Sequence, residues 1–175
     1  MLTIEKGDIL WLFTVYHEKM KIFLMIGDAK QILLAGCPSC ANIGYYMHRE
    51  KDRPIIKFTL KGIKSVCTQD EIGRISNLLT EKGVNVVSWL PNYPNAMCVL
   101  DEGSCKKLLN KGQNIDTILA MCCESGQKNV AKIFPDKEIV GAMNAEGLLR
   151  GVTRKKLGKF FIDEQTIDIL RYKPE

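Results

Sequence analysis

The hydrophobic pattern becomes regular from residue 31, where Gln31-Ile-Leu-Leu-Ala-Gly36 forms an apolar run of strand length that ends in glycine. Residues 40–49 are helix-compatible, and residues 55–60 form a second strand-like stretch rich in Ile, Phe and Thr. Thr68 and Glu71 have capping-box spacing, Ile72, Ile75, Leu78 and Leu79 share one helical face, and Gly83 stops that helix. A strand at 84–90, a loop bounded by Pro91 and Pro94, and a short helix from Ser104 to Gly112 come next. Residues 117–121 supply another strand and residues 124–126 a turn. Val130, Ile133 and Phe134 then make a helical face that Pro135 ends, and residues 138–143 read as the next strand.

Strands alternating with helices from residue 31 to residue 143 predict an α/β fold with a doubly wound, mostly parallel, Rossmann-like sheet. Each crossover helix must be buried against that sheet, so both of its faces are covered. The pattern divides the chain into an N-terminal arm, 1–30, and a single cysteine-rich α/β domain, 31–175. Within the arm, residues 9–26 are apolar but interrupted by His17, Glu18, Lys19 and Lys21, which excludes a membrane span. Trp11, Phe13, Val15 and Tyr16 suit an extended or partner-contacting segment.

Composition narrows the class. Apolar residues at 46% and charged residues at 26% are ordinary for a soluble globular protein. The 25 basic and 20 acidic residues leave +5, too small and dispersed a surplus to indicate nucleic acid. The seven cysteines carry more information. Their count is odd and the sequence shows no secretory leader, so a cytoplasmic location with reduced thiols is expected, where clustered cysteines serve metal or redox chemistry.

In Gly36-Cys37-Pro38-Ser39-Cys40 the first thiol closes a strand and the second opens a helix, where free amides and the helix dipole are expected to favour thiolate. Cys122 and Cys123 stand at the corresponding end of a later strand. The carboxyl ends of a parallel sheet share one edge, so these thiols can converge where doubly wound folds bind ligands. Cys98 is the natural further donor. Cys37, Cys40, Cys98 and either Cys122 or Cys123 would suit tetrahedral zinc or a [4Fe–4S] cluster. A metal-free dithiol centre at Cys37 and Cys40 is the third reading. Neither His17 nor His48 lies among these cysteines, which argues against a catalytic zinc with mixed ligands.

Cys67 and Cys105 lie off that edge and read as inert, small apolar side chains. The small-residue segment Gly141-Ala-Met-Asn-Ala-Glu-Gly147 lacks dinucleotide-binding spacing and reads as a structural loop. Arg150, Arg154, Lys155, Lys156 and Lys159 read as a solvated face.

Leu33-Leu-Ala-Gly-Cys-Pro-Ser-Cys-Ala41, the later Cys98, and Thr117-Ile-Leu-Ala-Met-Cys-Cys-Glu-Ser-Gly-Gln127 together resemble a cysteine-rich family associated with methylenetetrahydrofolate reductase. Its members occur as a C-terminal domain or a separate accessory subunit, and the similarity spans residues 30–151. The resemblance implies a non-catalytic role in one-carbon metabolism: electron transfer to, or assembly of, a flavin-dependent reductase. It carries the metal-ligand roles onto Cys37, Cys40, Cys98 and Cys122, with an iron–sulfur cluster as cofactor and zinc as the alternative. Cysteine replaces the family's usual glycine in Met121-Cys-Cys-Glu-Ser-Gly126, which leaves Cys122 and Cys123 as alternatives. Members of that family often carry further cysteines after the small-residue loop, whereas residues 157–175 have none, which speaks against a second centre.

Overall fold

The computed structural model describes residues 9–16, 19–48 and 53–172. His17 and the first eight residues of the arm lie outside them. Three sheets organise the chain.

The first is a four-stranded parallel sheet made of β2 (Gln31–Gly36), β5 (Asn85–Trp89), β6 (Thr117–Met121) and β7 (Glu138–Gly141), in the order β5-β2-β6-β7. Strands β2 and β6 are central, and their unbroken apolar runs are buried on both faces, as a parallel sheet between layers requires. The connecting helices are α2 (Cys40–Met47), α3 (Val66–Glu81), α4 (Glu102–Gly112) and α5 (Glu124–Ile133). Helices α3, α4 and α5 pack on the sheet, and α2 packs on α3. The protein is therefore a mixed α/β structure around a helix-flanked parallel sheet.

The parallel part is narrower than the hydrophobic pattern suggests. Residues 55–60 do not join it: β3 (Ile56–Thr59) forms an antiparallel hairpin with β4 (Gly62–Ser65). This hairpin extends into a second sheet, β4-β3-β10-β9, with β9 (Thr153–Lys156) and β10 (Lys159–Ile162). The supposed loop at 141–147 is largely the start of β8 (Met143–Gly151), the centre of a third sheet. Its neighbours there are β1 (Ile9–Tyr16) and β11 (Asp168–Arg171), both antiparallel to it. The arm thus contributes β1 to this sheet, followed by α1 (Lys19–Ile26). No helix among the described residues is long and apolar enough to cross a membrane.

Close approach between layers depends on glycine. A Cβ at Gly44 in α2 would stand 2.1 Å from Thr14 Oγ1 and 2.8 Å from Met143 Cε, so the helix can lie on β1 and β8 only without a side chain there. Gly73 in α3 faces open space. Gly44→Ala should lower unfolding free energy by about 1–3 kcal/mol through overpacking. Gly73→Ala should raise it by up to about 1 kcal/mol through helix propensity. Urea denaturation of both variants checks the pair, and equal effects would contradict the packing described.

Candidate functional site

The loop between β2 and α2 carries Cys37 and Cys40, and side chains from other elements hold its backbone. The Cys37 amide donates to the Met121 carbonyl at 3.1 Å, continuing the β2–β6 pairing one residue past the strands. Thr68 Oγ1 donates to the Cys37 carbonyl at 2.9 Å, and Ser65 Oγ donates to the Pro38 carbonyl at 2.8 Å. Asn42, in the first turn of α2, accepts from the Thr68 amide at 3.0 Å and donates to the Ile55 carbonyl at 2.7 Å. Ser65, Thr68 and Asn42 are all buried. Three polar side chains thereby satisfy backbone groups that would otherwise be stranded away from water.

The second thiol-bearing segment follows β6. Cys122 is fully buried, and α5 lies directly on its sulfur: a Cβ at Gly126 would be 2.8 Å from Cys122 Sγ and 3.0 Å from Met97 Cβ. Gln127 Nε2 bridges the carbonyls of Cys122 (2.9 Å) and Met143 (2.6 Å). Cys123 caps α5 through its backbone position and is also buried. Glu124 accepts the Ala145 amide at 2.8 Å with each carboxylate oxygen.

The third segment is the loop after β5. Met97 is buried, and its carbonyl accepts from Asn129 Nδ2 of α5 at 2.8 Å, which fastens the loop over the edge and leaves Cys98 exposed. Asp101 closes the loop by capping α4 through the Ser104 amide at 2.7 Å, which holds its carboxyl below the usual range.

These segments bring five thiols into one electrostatic neighbourhood. Burial pushes Cys37 up to about 12, against the weaker opposing effect of the Met97 and Ser39 amides, while Cys40 and Cys123 raise it further. Cys122 is raised well above its ordinary value, first by burial and then by Cys37, Cys123, Cys98 and Glu124. Cys98 is raised by partial burial and by Cys123. The expectation that free amides and a helix start favour thiolate at Cys37 is thus overturned: desolvation outweighs the donors. Among the described residues, no three His, Cys, Asp or Glu side chains form a group closed around a point that could hold an ion.

Cys67 and Cys105 have other partners, the carbonyls of Pro54 (4.0 Å) and Leu100 (3.9 Å). His48 is exposed at the end of α2. Asn42, Ser65 and Thr68 escape a reading of the sequence because nothing local marks them. Thr68 and Glu71 do not form the expected capping box: α3 starts earlier, at Val66 after Ser65. Thr68 instead serves the cysteine loop, and Glu71 pairs with Arg74. Compared with models of protein families, with curated proteins and with solved structures, the chain matches none.

Thr68→Val keeps the shape but leaves the Cys37 carbonyl without its donor, so unfolding free energy should fall by about 1–3 kcal/mol, with Thr68→Ser restoring most of it. Both folded thiol values at Cys37 and Cys122 lie above the ordinary 9.0. The neutral thiols favour the folded form fully below pH 9, and that contribution is lost as the pH rises toward the folded values. Urea midpoints on either side of pH 9 should therefore drop more steeply for the parent protein than for Cys37→Ala, and parallel slopes would refute this.

Proposed function

We propose that this chain is a non-catalytic accessory subunit that carries a thiolate-held iron–sulfur cluster. In this reading it supports electron transfer to, or assembly of, a flavin-dependent methylenetetrahydrofolate reductase in the cytoplasm. The observation that carries the reading is the coupling of the thiols at one sheet edge: Cys40 and Cys123 raise Cys37, and Cys37, Cys123 and Cys98 raise Cys122. The reductase and its one-carbon chemistry rest on the family resemblance of residues 30–151.

The strand order supports a doubly wound arrangement. From β2 the chain moves outward to β5, then returns past β2 to β6 and β7. With right-handed crossovers, the connection through α3 lies on the opposite face from α4 and α5. Such a reversal opens a crevice between the two strands where the order turns, here β2 and β6, and Cys37 and Cys122 directly follow those strands.

The donor chemistry fits a thiophilic centre. All five candidate donors are sulfur, and the buried pair is too poorly solvated to ionise alone, so a cation at this edge would supply the missing countercharge. Cys37, Cys40, Cys98 and one of Cys122 and Cys123 would hold it. Exposed Cys98 is the donor freest to adjust. A bound cluster would supply one-electron transfer. The chain's own contribution is to exclude water and to aim the Met97 and Ser39 amides at the Cys37 sulfur, which lowers the charge density there. The dithiol alternative draws less support, because a thiol at about 12 is a poor nucleophile near neutrality.

Anaerobic reconstitution with ferrous iron and sulfide, followed by metal and sulfide analysis and visible absorption, tests the proposal. The parent protein should bind iron and sulfide together and show charge-transfer bands. Cys37→Ser and Cys40→Ser should lose them, whereas Cys67→Ser and Cys105→Ser should keep them. Stoichiometric zinc without visible bands would overturn the cluster in favour of a structural zinc module. A metal-free protein with a titratable Cys37–Cys40 disulfide would overturn both.

A further inference from the structure

The chain's charge surplus is concentrated in the small sheet β4-β3-β10-β9. Residues 53–65 and 152–163 together carry eight basic side chains and one acidic, more than the +5 of the whole chain. Both arginines are engaged, Arg53 with Asp70 and Arg154 with Asp163. The lysines are arranged differently. Lys64 stands opposite Lys57, Lys57 opposite Lys159, and Lys159 opposite Lys156, so each of the four strands contributes one lysine to a single rung.

Directly paired residues project from the same face of a sheet, and like charges in that position repel. With strands about 4.8 Å apart, the row is a line of four ammonium groups about 14 Å long. Lys64 donates to the neutral Asn92 Oδ1 at 2.9 Å, and no ion pair is recorded for the other three among the described residues. Alternation sends Ile56, Phe58 and Phe160 to the opposite face, where they line a mainly apolar cavity of about 170 Å³ against α2.

Two leucines lie just beyond this row. The hairpin turns after β3 and β9 are both two-residue loops, Leu60-Lys61 and Leu157-Gly158, and both put leucine first. The turns emerge side by side, since the Phe58 amide donates to the Gly158 carbonyl at 3.1 Å. Leu60 is 108% exposed and Leu157 90%. Leu157 also has φ of 49°, in the left-handed region where a leucine is strained and Asn or Gly is at ease. An apolar side chain thus sits where both solvent and backbone disfavour it, next to a second one.

We propose that this end of the sheet docks the protein on an anionic phospholipid surface, with Leu60 and Leu157 entering the interface and the lysine row lying at headgroup level. Leu157 directly follows Lys156 and Leu60 lies three positions past Lys57, about 3–10 Å along the strands, within the depth to which interfacial apolar groups enter a bilayer. Lysine stems reach along such a surface while their ammonium groups stay with phosphates. A protein partner fits less well, because lysine is depleted from protein interfaces and the arginines are already paired. A nucleic acid would use the row but leave both leucines in water.

Flotation of the full chain with vesicles of phosphatidylcholine, alone or mixed with phosphatidylglycerol, tests this whatever the thiols bind. The protein should float only with the anionic vesicles and release as salt rises. Leu60→Asn with Leu157→Asn should weaken partitioning more than about tenfold without lowering the melting temperature, since Asn tolerates the conformation of residue 157. Lys57→Gln and Lys159→Gln should each weaken it roughly fivefold. Failure to bind anionic vesicles, or equal binding to neutral ones, would overturn the proposal. Binding that is indifferent to both leucines would overturn it too and assign the row to a soluble polyanion.

Discussion

The hydrogen bonds from Thr68 and Ser65 to the carbonyls of Cys37 and Pro38, with Asn42 tying α2 to Thr68 and Ile55, are the constraint on which the cysteine edge depends. A turn that leaves the middle of a sheet and enters a buried helix must find partners for its carbonyls away from water, each of which is worth about 1–3 kcal/mol if left unmet. Here the partners come from the start of α3, far along the chain. Once they are in place, Cys37 is fixed beside the end of β6, and the loop after β5 can close over both strands through Met97.

That enclosure sets the chemistry of the edge. The amides facing Cys37 would favour a thiolate in water, and in a half-exposed site they would carry the balance. Buried as it is, the sulfur loses more by desolvation than two amides return, and neighbouring thiols add to the penalty. Cys122 sits under the same pressure with α5 resting on its sulfur at Gly126. A cluster of neutral, crowded thiols is poorly suited to nucleophilic attack and well suited to a cation that can discharge several of them together.

The sequence makes the buried parallel core legible and leaves the two antiparallel sheets obscure, for a physical reason. Strands β2 and β6 are covered on both faces, so they appear as unbroken apolar runs, and the thiols that follow each run can be placed at one edge without coordinates. Strand β8 contains Gly147 and small residues because other backbone crowds it: a Cβ at Gly147 would stand 2.3 Å from the Leu170 carbonyl oxygen. Those residues imitate a loop. Strand β1 pairs with β8 at the far end of the chain, a contact that no local pattern encodes. The same holds for Thr68, whose spacing from Glu71 suggests a cap while its hydroxyl serves a carbonyl of another element.

The lysine row is the extreme case of this limit, because its members belong to two hairpins distant in sequence and look like scattered solvated charge until the register aligns them. The register itself is tied to the cysteine edge. Ile55 donates to Phe160, which zips the two hairpins together, and accepts from both Val66 and Asn42. Ser65 ends β4 and also holds Pro38. The residues that clamp the thiol loop are therefore the ones that anchor the basic sheet to the core. The thiol loop and the base of the sheet therefore share two hydrogen bonds, Ser65 to the Pro38 carbonyl and Asn42 to the Ile55 carbonyl, so the packing that places one also places the other.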